Sequence, residues 1–306
     1  LSATNDVGGT NSQPINLTFV APPSPYSAAV AADRPIAYWR LGESAGPTMV
    51  NSAGYNDGTY IGTVGFGAAP VITTETDKAV DFAGNAGRGE VSNVPELNPA
   101  GPFSVEVWTR PNAGAGGIIL SSQNRANSRG GYSIHANIFI AQYGIDLGAP
   151  NAGVTRYNLA TVPVAGVPVH IVFTYDGVTG TFYVNGEKTS APLNNFVNNT
   201  VAPLTIGKRS DNAAPWNGTV DEAAFYDYAL SGDRVTNHWS FSWVPAAITQ
   251  NPTMTNGAEG NSITLTAAAS GYPNTYQWFK GGVALVGTVT NFDGSLKYPQ
   301  GVTSTT

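Results

Sequence analysis

HIVFTYDGVTGTFYVNGE, residues 170–187, alternates aromatic or β-branched residues with smaller or polar ones at a period of two, the spacing of a strand rather than a helix. Two turn signals punctuate it. Asp176-Gly177 separates the two runs and Asn185-Gly186 follows the second, and such dipeptides suit the tight reversals of antiparallel hairpins. Upstream, FSVEVWTRP (103–111) alternates in the same way and predicts another long strand.

Composition points the same way. Charged residues make up 11% of the 306, well below the roughly 25% usual in soluble proteins. The 36 Gly and 21 Pro suit many short strands joined by turns. A net charge of −6 without a Lys/Arg run argues against a nucleic-acid partner. No apolar stretch reaches the roughly 18 residues of a membrane span. With no cysteine, disulfides, Cys-type zinc sites and a thiol nucleophile are excluded. The helical signal is brief: Leu230 to Val235, with Ser231 as N-cap. The chain divides into a β segment at 1–20, a stiff APPSPY linker at 21–26, a β-dense block at 27–243 and a last segment at 244–306, in which a second linker, VPAAITQNP (244–252), precedes a β pattern that restarts at 261.

Five segments of the central block resemble, in order, the laminin-G-like, concanavalin-like jelly-roll domains. They are AYWRLGESAGPTMVNSAGYNDGTYIG (37–62), AVDFAGNAGRGEVSN (79–93), FSVEVWTRP, the hairpin at 170–189, and LTIGKRS through WNGTVDEAAFYDYALS (204–231). The resemblance implies an all-β protein with a two-sheet jelly roll, and alternating strands in this number must bury one face of each sheet in any case.

Catalysis has little support. Glycosidases on this architecture need two carboxylates facing one bond. The adjacent acids Asp221 and Glu222 are expected on opposite faces of a strand, and Glu106 is alone among apolar neighbours. His135, His170 and His238 lie far apart in the chain and read as structural. The resemblance implies a calcium ion where the first and last strands meet, with Asn51, Asp57 and Asp221 at the matching positions. Asn51 stands there in place of the usual acid. It also implies sugar stacking on loop aromatics; Trp216, Tyr143 and Tyr157 are the leading candidates, beside Tyr55 and Tyr60. Trp39 and Trp108 are expected in the core.

NSITLTAAASGYPNTYQWFKGG (261–282) resembles strands B and C of bacterial Ig-like domains, with Ile263 and Leu265 inward and Trp278 as the core Trp. The missing end of such a domain resembles residues 1–20, where Leu1 and Ala3 precede the alternating Ile15, Leu17 and Phe19. This predicts an Ig-like sandwich split across the chain ends. It implies copies joined head to tail by tandem linkage or strand complementation. The reading is therefore a non-enzymatic extracellular structural protein, the repeating unit of a surface fibre or filament. The alternative is a cell-surface adhesin, or a carbohydrate-binding module of a polysaccharide-degrading protein, with glycans as partners.

Overall fold

The computed structural model describes residues 2–5, 8–11, 25–54, 56–83, 87–123, 129–138, 141–242, 244–251, 268–272, 279–280 and 283–284. The hairpin forms as the sequence predicts: Val169–Tyr175 pairs antiparallel with Thr179–Val184, and Phe173 faces Phe182. Asp176 Oδ1 closes the first turn by accepting from the backbone N–H of Val178 and Thr179 at 2.8 and 2.6 Å. Asn185 and Gly186 take φ of 50° and 79°, the paired left-handed conformation of a type I′ turn. Gly186 is needed twice over, because a Cβ there would approach the Trp239 ring to 2.6 Å.

Two sheets stack face to face. One runs Glu187–Pro192, Thr179–Val184, Val169–Tyr175, Phe103–Pro111, Gly218–Tyr226, Ala79–Asp81, Gly65–Ala68, with Ala37–Trp39 also paired to Gly218–Tyr226. The other runs Gly153–Leu159, Tyr143–Ala149, Tyr132–Ala136, Gly117–Ser121, Leu204–Ile206, Arg88–Val91, Gly58–Ile61, Thr48–Met49. Between them lies the main core, in which Trp39, Phe103, Val105, Val107, Phe173 and Phe225 pack with Tyr132 and Ile145. The fold is an all-β jelly-roll sandwich.

A second apolar cluster covers the outer face of the first sheet. Trp108, Val172, Tyr183, Ala224 and Tyr226 point outward and are capped by Tyr26, Val30, Leu230 and Val235. Helix α1 (Pro25–Ala32) supplies Tyr26 and Val30, four residues apart and so on one face. Its first two residues are the last two of the expected linker. Proline is preorganised for a first turn, and the alanines at 28, 29, 31 and 32 favour helix. Helix α2 (Gly232–Ser240) begins where the sequence places it, with Ser231 Oγ accepting from Arg234 N at 3.3 Å. Trp108 is thus buried as expected, but beneath helices rather than between sheets.

The long strand Gly218–Tyr226 holds the main departure from the sequence reading. Asp221 faces Trp108 and Ala224 faces Glu106, so two residues, Glu222 and Ala223, stand opposite one. This β-bulge, with Glu222 at φ 51°, breaks the strict alternation. Ala223 packs into the inter-sheet core while Glu222 meets Tyr38 and Arg40 on the outer face. Asp221 and Glu222 therefore do not point to opposite faces: a bulge resets the pleat.

Ser2–Asn5 pairs with Gly8–Asn11, Val244–Gln250 with Ala268–Tyr272, and Phe279–Lys280 with Val283–Ala284. Ala3 lies in the first of these ribbons. Leu1, Ile15, Leu17, Phe19, Ile263, Leu265 and Trp278 lie outside the described residues.

Candidate functional site

The strand Gly218–Tyr226 ends in Tyr226-Asp227-Tyr228-Ala229-Leu230, which turns the chain into α2. Tyr226 and Leu230 are buried under the helices, whereas Tyr228 is 39% exposed and is the one exposed large aromatic among the described residues. Facing it is the end of α1. Ala32, Asp33, Arg34 and Tyr228 line an open depression of about 300 Å³. Tyr228 Oη donates to the Asp33 carbonyl at 2.6 Å. Its own carbonyl accepts from Ser104 Oγ at 2.9 Å. The ring meets Tyr226 edge-on at 5.9 Å. The aromatic wall is thus fixed at both its hydroxyl and its backbone. Burial and then Asp33 raise the Tyr228 hydroxyl above its ordinary value, so it keeps its proton.

The floor beneath is charged and rigid. Asp33 pairs with Arg234 Nε at 2.7 Å and with His238 Nε2 at 3.0 Å. The other ring nitrogen of His238 lies 3.1 and 3.0 Å from the two oxygens of Glu106. Glu106 also receives Tyr26 Oη at 2.8 Å, His170 Nε2 at 2.7 Å and Tyr226 Oη at 3.0 Å. Burial alone would raise this carboxyl; the His238 charge and hydrogen bonds from both imidazoles outweigh it and hold Glu106 well below the usual carboxylate range. Burial lowers His170, despite Glu106, so its ring is neutral at neutral pH. For His238 burial also works downward, but Glu106 and Asp33 prevail and raise it. The isolated Glu106 and two of the scattered histidines of the sequence therefore form one hub joining the sheet to both helices. His135, the third, pairs with Asp146 at 3.4 Å on the other sheet. There, burial of Asp146 is outweighed by hydrogen bonds from His135 and Arg156, and the carboxyl falls to about 2.

A second charged cluster occupies the same outer face around the bulge. Arg40 Nη2 reaches Glu75, Asp77 and Glu222 at 3.1, 2.6 and 2.8 Å. Tyr38 Oη donates to Glu222. Burial raises Glu222 to about 8 against the pull of Arg40. Asp221, fully buried beside it, is raised well above its ordinary value by burial and by Glu222. Here two carboxyls do share a face, but both are sealed from solvent.

The sugar-stacking candidates are not at the surface. Trp216 and Tyr143 are wholly buried and Tyr157 is 4% exposed, all three in the inter-sheet core. Trp216 lies in the core because its loop folds back, its backbone N–H donating to the Gly207 carbonyl at 2.8 Å. Tyr60 is likewise buried, and Tyr55 lies outside the described residues. Of the calcium set, one buried oxygen, Asp221 Oδ1, has no hydrogen-bond partner among the described residues. Asn51 Oδ1 accepts from the backbone N–H of Tyr38 and Ala53 at 2.8 and 3.0 Å, which engages both lone pairs. Asp57 Oδ1 accepts from Asn51 N at 2.7 Å, and Asp221 Oδ2 from Val71 N at 2.9 Å. Calcium needs six to eight oxygens, and backbone N–H groups already engage one oxygen on each of these three residues. Among the described residues the acidic group Glu75, Asp77 and Glu222 lies closer together, but the Arg40 guanidinium fills it.

The architecture defines the class, a two-sheet jelly roll with lectin-type topology. The chain belongs to the concanavalin A-like lectin/glucanases superfamily, whose family model matches residues 83–236. Comparison with curated proteins finds no match. Among solved structures, domain 4 of an extracellular arabinanase from Geobacillus stearothermophilus, in complex with arabinotriose, is similar at 17% identity and a TM-score of 0.51, covering 67% of this chain and 98% of that one. The binding domain of botulinum neurotoxin DC, in complex with SialylT, is similar at 13% identity and a TM-score of 0.51. The match covers 69% of this chain and 52% of that one, so the chain spans about half the length of the toxin domain. At these identities the likeness is one of fold.

Proposed function

We propose that the protein is a non-catalytic, extracellular carbohydrate-binding domain whose ligand rests in the depression between α1 and the turn before α2. The observation that carries this reading is Tyr228, an exposed aromatic wall in an open polar depression, fixed by its hydroxyl and backbone. Sugar rings pack their C–H faces on such walls while polar neighbours orient the hydroxyls. Asp33 is the single carboxylate lining the depression, and it is already committed to Arg234 and His238. Hydrolysis of a glycosidic bond takes two, which supports a binding role. The superfamily and the sugar-bound complexes among similar folds agree with it. A glycan array followed by calorimetry on wild type and Tyr228→Ala tests the reading. Wild type is expected to bind at least one glycan, and the substitution to weaken that binding at least about tenfold, as lost stacking and hydrogen bonding would. No binding on the array, or binding indifferent to Tyr228→Ala, would overturn it.

Head-to-tail assembly through an Ig-like domain split across the chain ends is a second, separable reading. It is supported by the antiparallel pairing of Val244–Gln250, a strand in place of the expected linker, with Ala268–Tyr272 at the end of the expected strand B. A two-stranded ribbon is marginal until a third strand joins it. Sedimentation of the native protein across a wide concentration range tests this: a ladder of multimers supports it, and a monomer throughout removes it.

A further inference from the structure

We infer that the ligand of this depression is an acidic sugar, with its carboxylate held by Arg34 and its ring on Tyr228; the inference rests on the carbohydrate-binding reading above. The starting point is how arginines are used in this chain. Arg40, Arg88, Arg156, Arg209 and Arg234 each pair with a carboxylate, and Arg110 donates to the carbonyls of Ala69 and Pro70. Arg34 and Arg129 are exposed, and neither guanidinium has a partner among the described residues; of the two, Arg34 is the one that lines the depression beside Tyr228. This happens in a chain with 20 acidic and 14 basic residues, where a partner is easily found. The nearest candidate in sequence, Asp33, is turned away from it to Arg234 and His238. The buried hub thus takes the acid and leaves the guanidinium to solvent.

The backbone holds Arg34 at this place. Arg34 ends α1 with φ at 50°, the left-handed conformation usually given to Gly or Asn at this point of a helix. It is held there by its N–H donating to the Ala31 carbonyl at 3.1 Å, and by Asp33 N donating to Val30 at 3.1 Å. Eleven other described non-glycine residues share a positive φ, Arg129 among them, so it is the place of Arg34 beside the exposed Tyr228, not its backbone, that points to a ligand. Guanidinium presents a planar fork that matches a carboxylate through two parallel hydrogen bonds. Tyr228 provides the ring platform a bare carboxylate does not need. A volume of about 300 Å³ is at the small end of ligand sites and suits one sugar ring. Two chemical sources meet these demands, uronic acids and nine-carbon sialic acids. What they share is a sugar-borne carboxylate.

The test titrates the full chain with methyl glucuronide, methyl galacturonide and N-acetylneuraminic acid beside methyl glucoside and methyl galactoside, by NMR or calorimetry. Three proteins are compared: wild type, Tyr228→Ala and Arg34→Asn. Asparagine suits the left-handed backbone, so Arg34→Asn removes the guanidinium without straining the fold, and a melt confirms it. Wild type is expected to prefer an acidic sugar over its neutral counterpart at least tenfold, with the preference falling as salt rises. Arg34→Asn is expected to abolish that preference, so that acidic and neutral sugars bind alike. Tyr228→Ala is expected to weaken both. Equal binding of acidic and neutral sugars by wild type, or a preference that survives Arg34→Asn, overturns the acidic-sugar assignment while Tyr228-dependent binding keeps the broader function. Absence of binding to every sugar overturns both.

Discussion

Glu106 and Glu222 stand on neighbouring strands, on the same outer face of one sheet, and neither is exposed. Their carboxyls nevertheless move in opposite directions: Glu106 falls well below the ordinary range, and Glu222 rises to about 8. Burial is common to both, so burial does not decide. The ratio of charges does. Glu106 meets two imidazoles and two tyrosyl hydroxyls, with only Asp33 sharing His238. Glu222 shares one guanidinium with Glu75 and Asp77 and lies beside Asp221. One cluster is balanced with charges in place; the other reaches balance by keeping protons.

The largest effect is expected where the balanced cluster is broken. Glu106→Gln leaves His238 facing a neutral amide and removes acceptors from two tyrosines and a second imidazole, a loss of about 3–5 kcal/mol. Urea denaturation at pH 6 measures it. A loss under about 1 kcal/mol would mean that the helices hold to the sheet by apolar packing alone. Next comes Arg40→Met, which strips the single cation from four carboxyls and costs about 2–4 kcal/mol at neutral pH. Because those carboxyls can take up protons, the deficit should shrink in acid and deepen as pH rises, which melts from pH 5 to 9 would show. A deficit constant with pH would show that Arg40 acts by packing, and would dissolve the contrast with Glu106.

Legibility followed the same division. The hairpin at 170–187 could be read because its alternation is unbroken and its turns carry Asp-Gly and Asn-Gly. Ser231 could be read as a cap for the same reason, a local residue serving a local hydrogen bond. The face of Glu222 could not. A bulge adds one residue to a strand without a residue type to announce it, since the left-handed position falls on a glutamate. Nor could the hub, because Asp33, Glu106, His170 and His238 are separated by long stretches of chain and meet only through sheet pairing and helix docking. The loop aromatics failed for a related reason. Trp216 looks like a surface residue in DNAAPWNG, but in a two-sheet core a large ring is worth more inside, about 2–3 kcal/mol for its apolar area. Tyr228 left one faint trace, a tyrosine placed just past the end of its strand, where alternation no longer dictates which side is buried.

The smallest and most discriminating effect concerns a slope rather than a level. Glu222 has a folded pKa of about 8 against an ordinary 4.5, so the folded protein keeps a proton that the unfolded chain releases. Stability from this group is fully present below pH 4.5 and is lost as pH rises towards 8, at up to about 1.4 kcal/mol per pH unit. Glu106 has the opposite sign: its contribution is present above the ordinary 4.5 and is lost as pH falls. Glutamine at 222 mimics the protonated carboxyl and cannot ionise. Glu222→Gln should therefore stay near wild type at pH 5 and become relatively more stable with each step up to pH 8, as read from chemical denaturation in matched buffers. Parallel curves for the two proteins would mean that Glu222 is ionised throughout, that Arg40 alone balances it, and that the two clusters differ in place but not in principle.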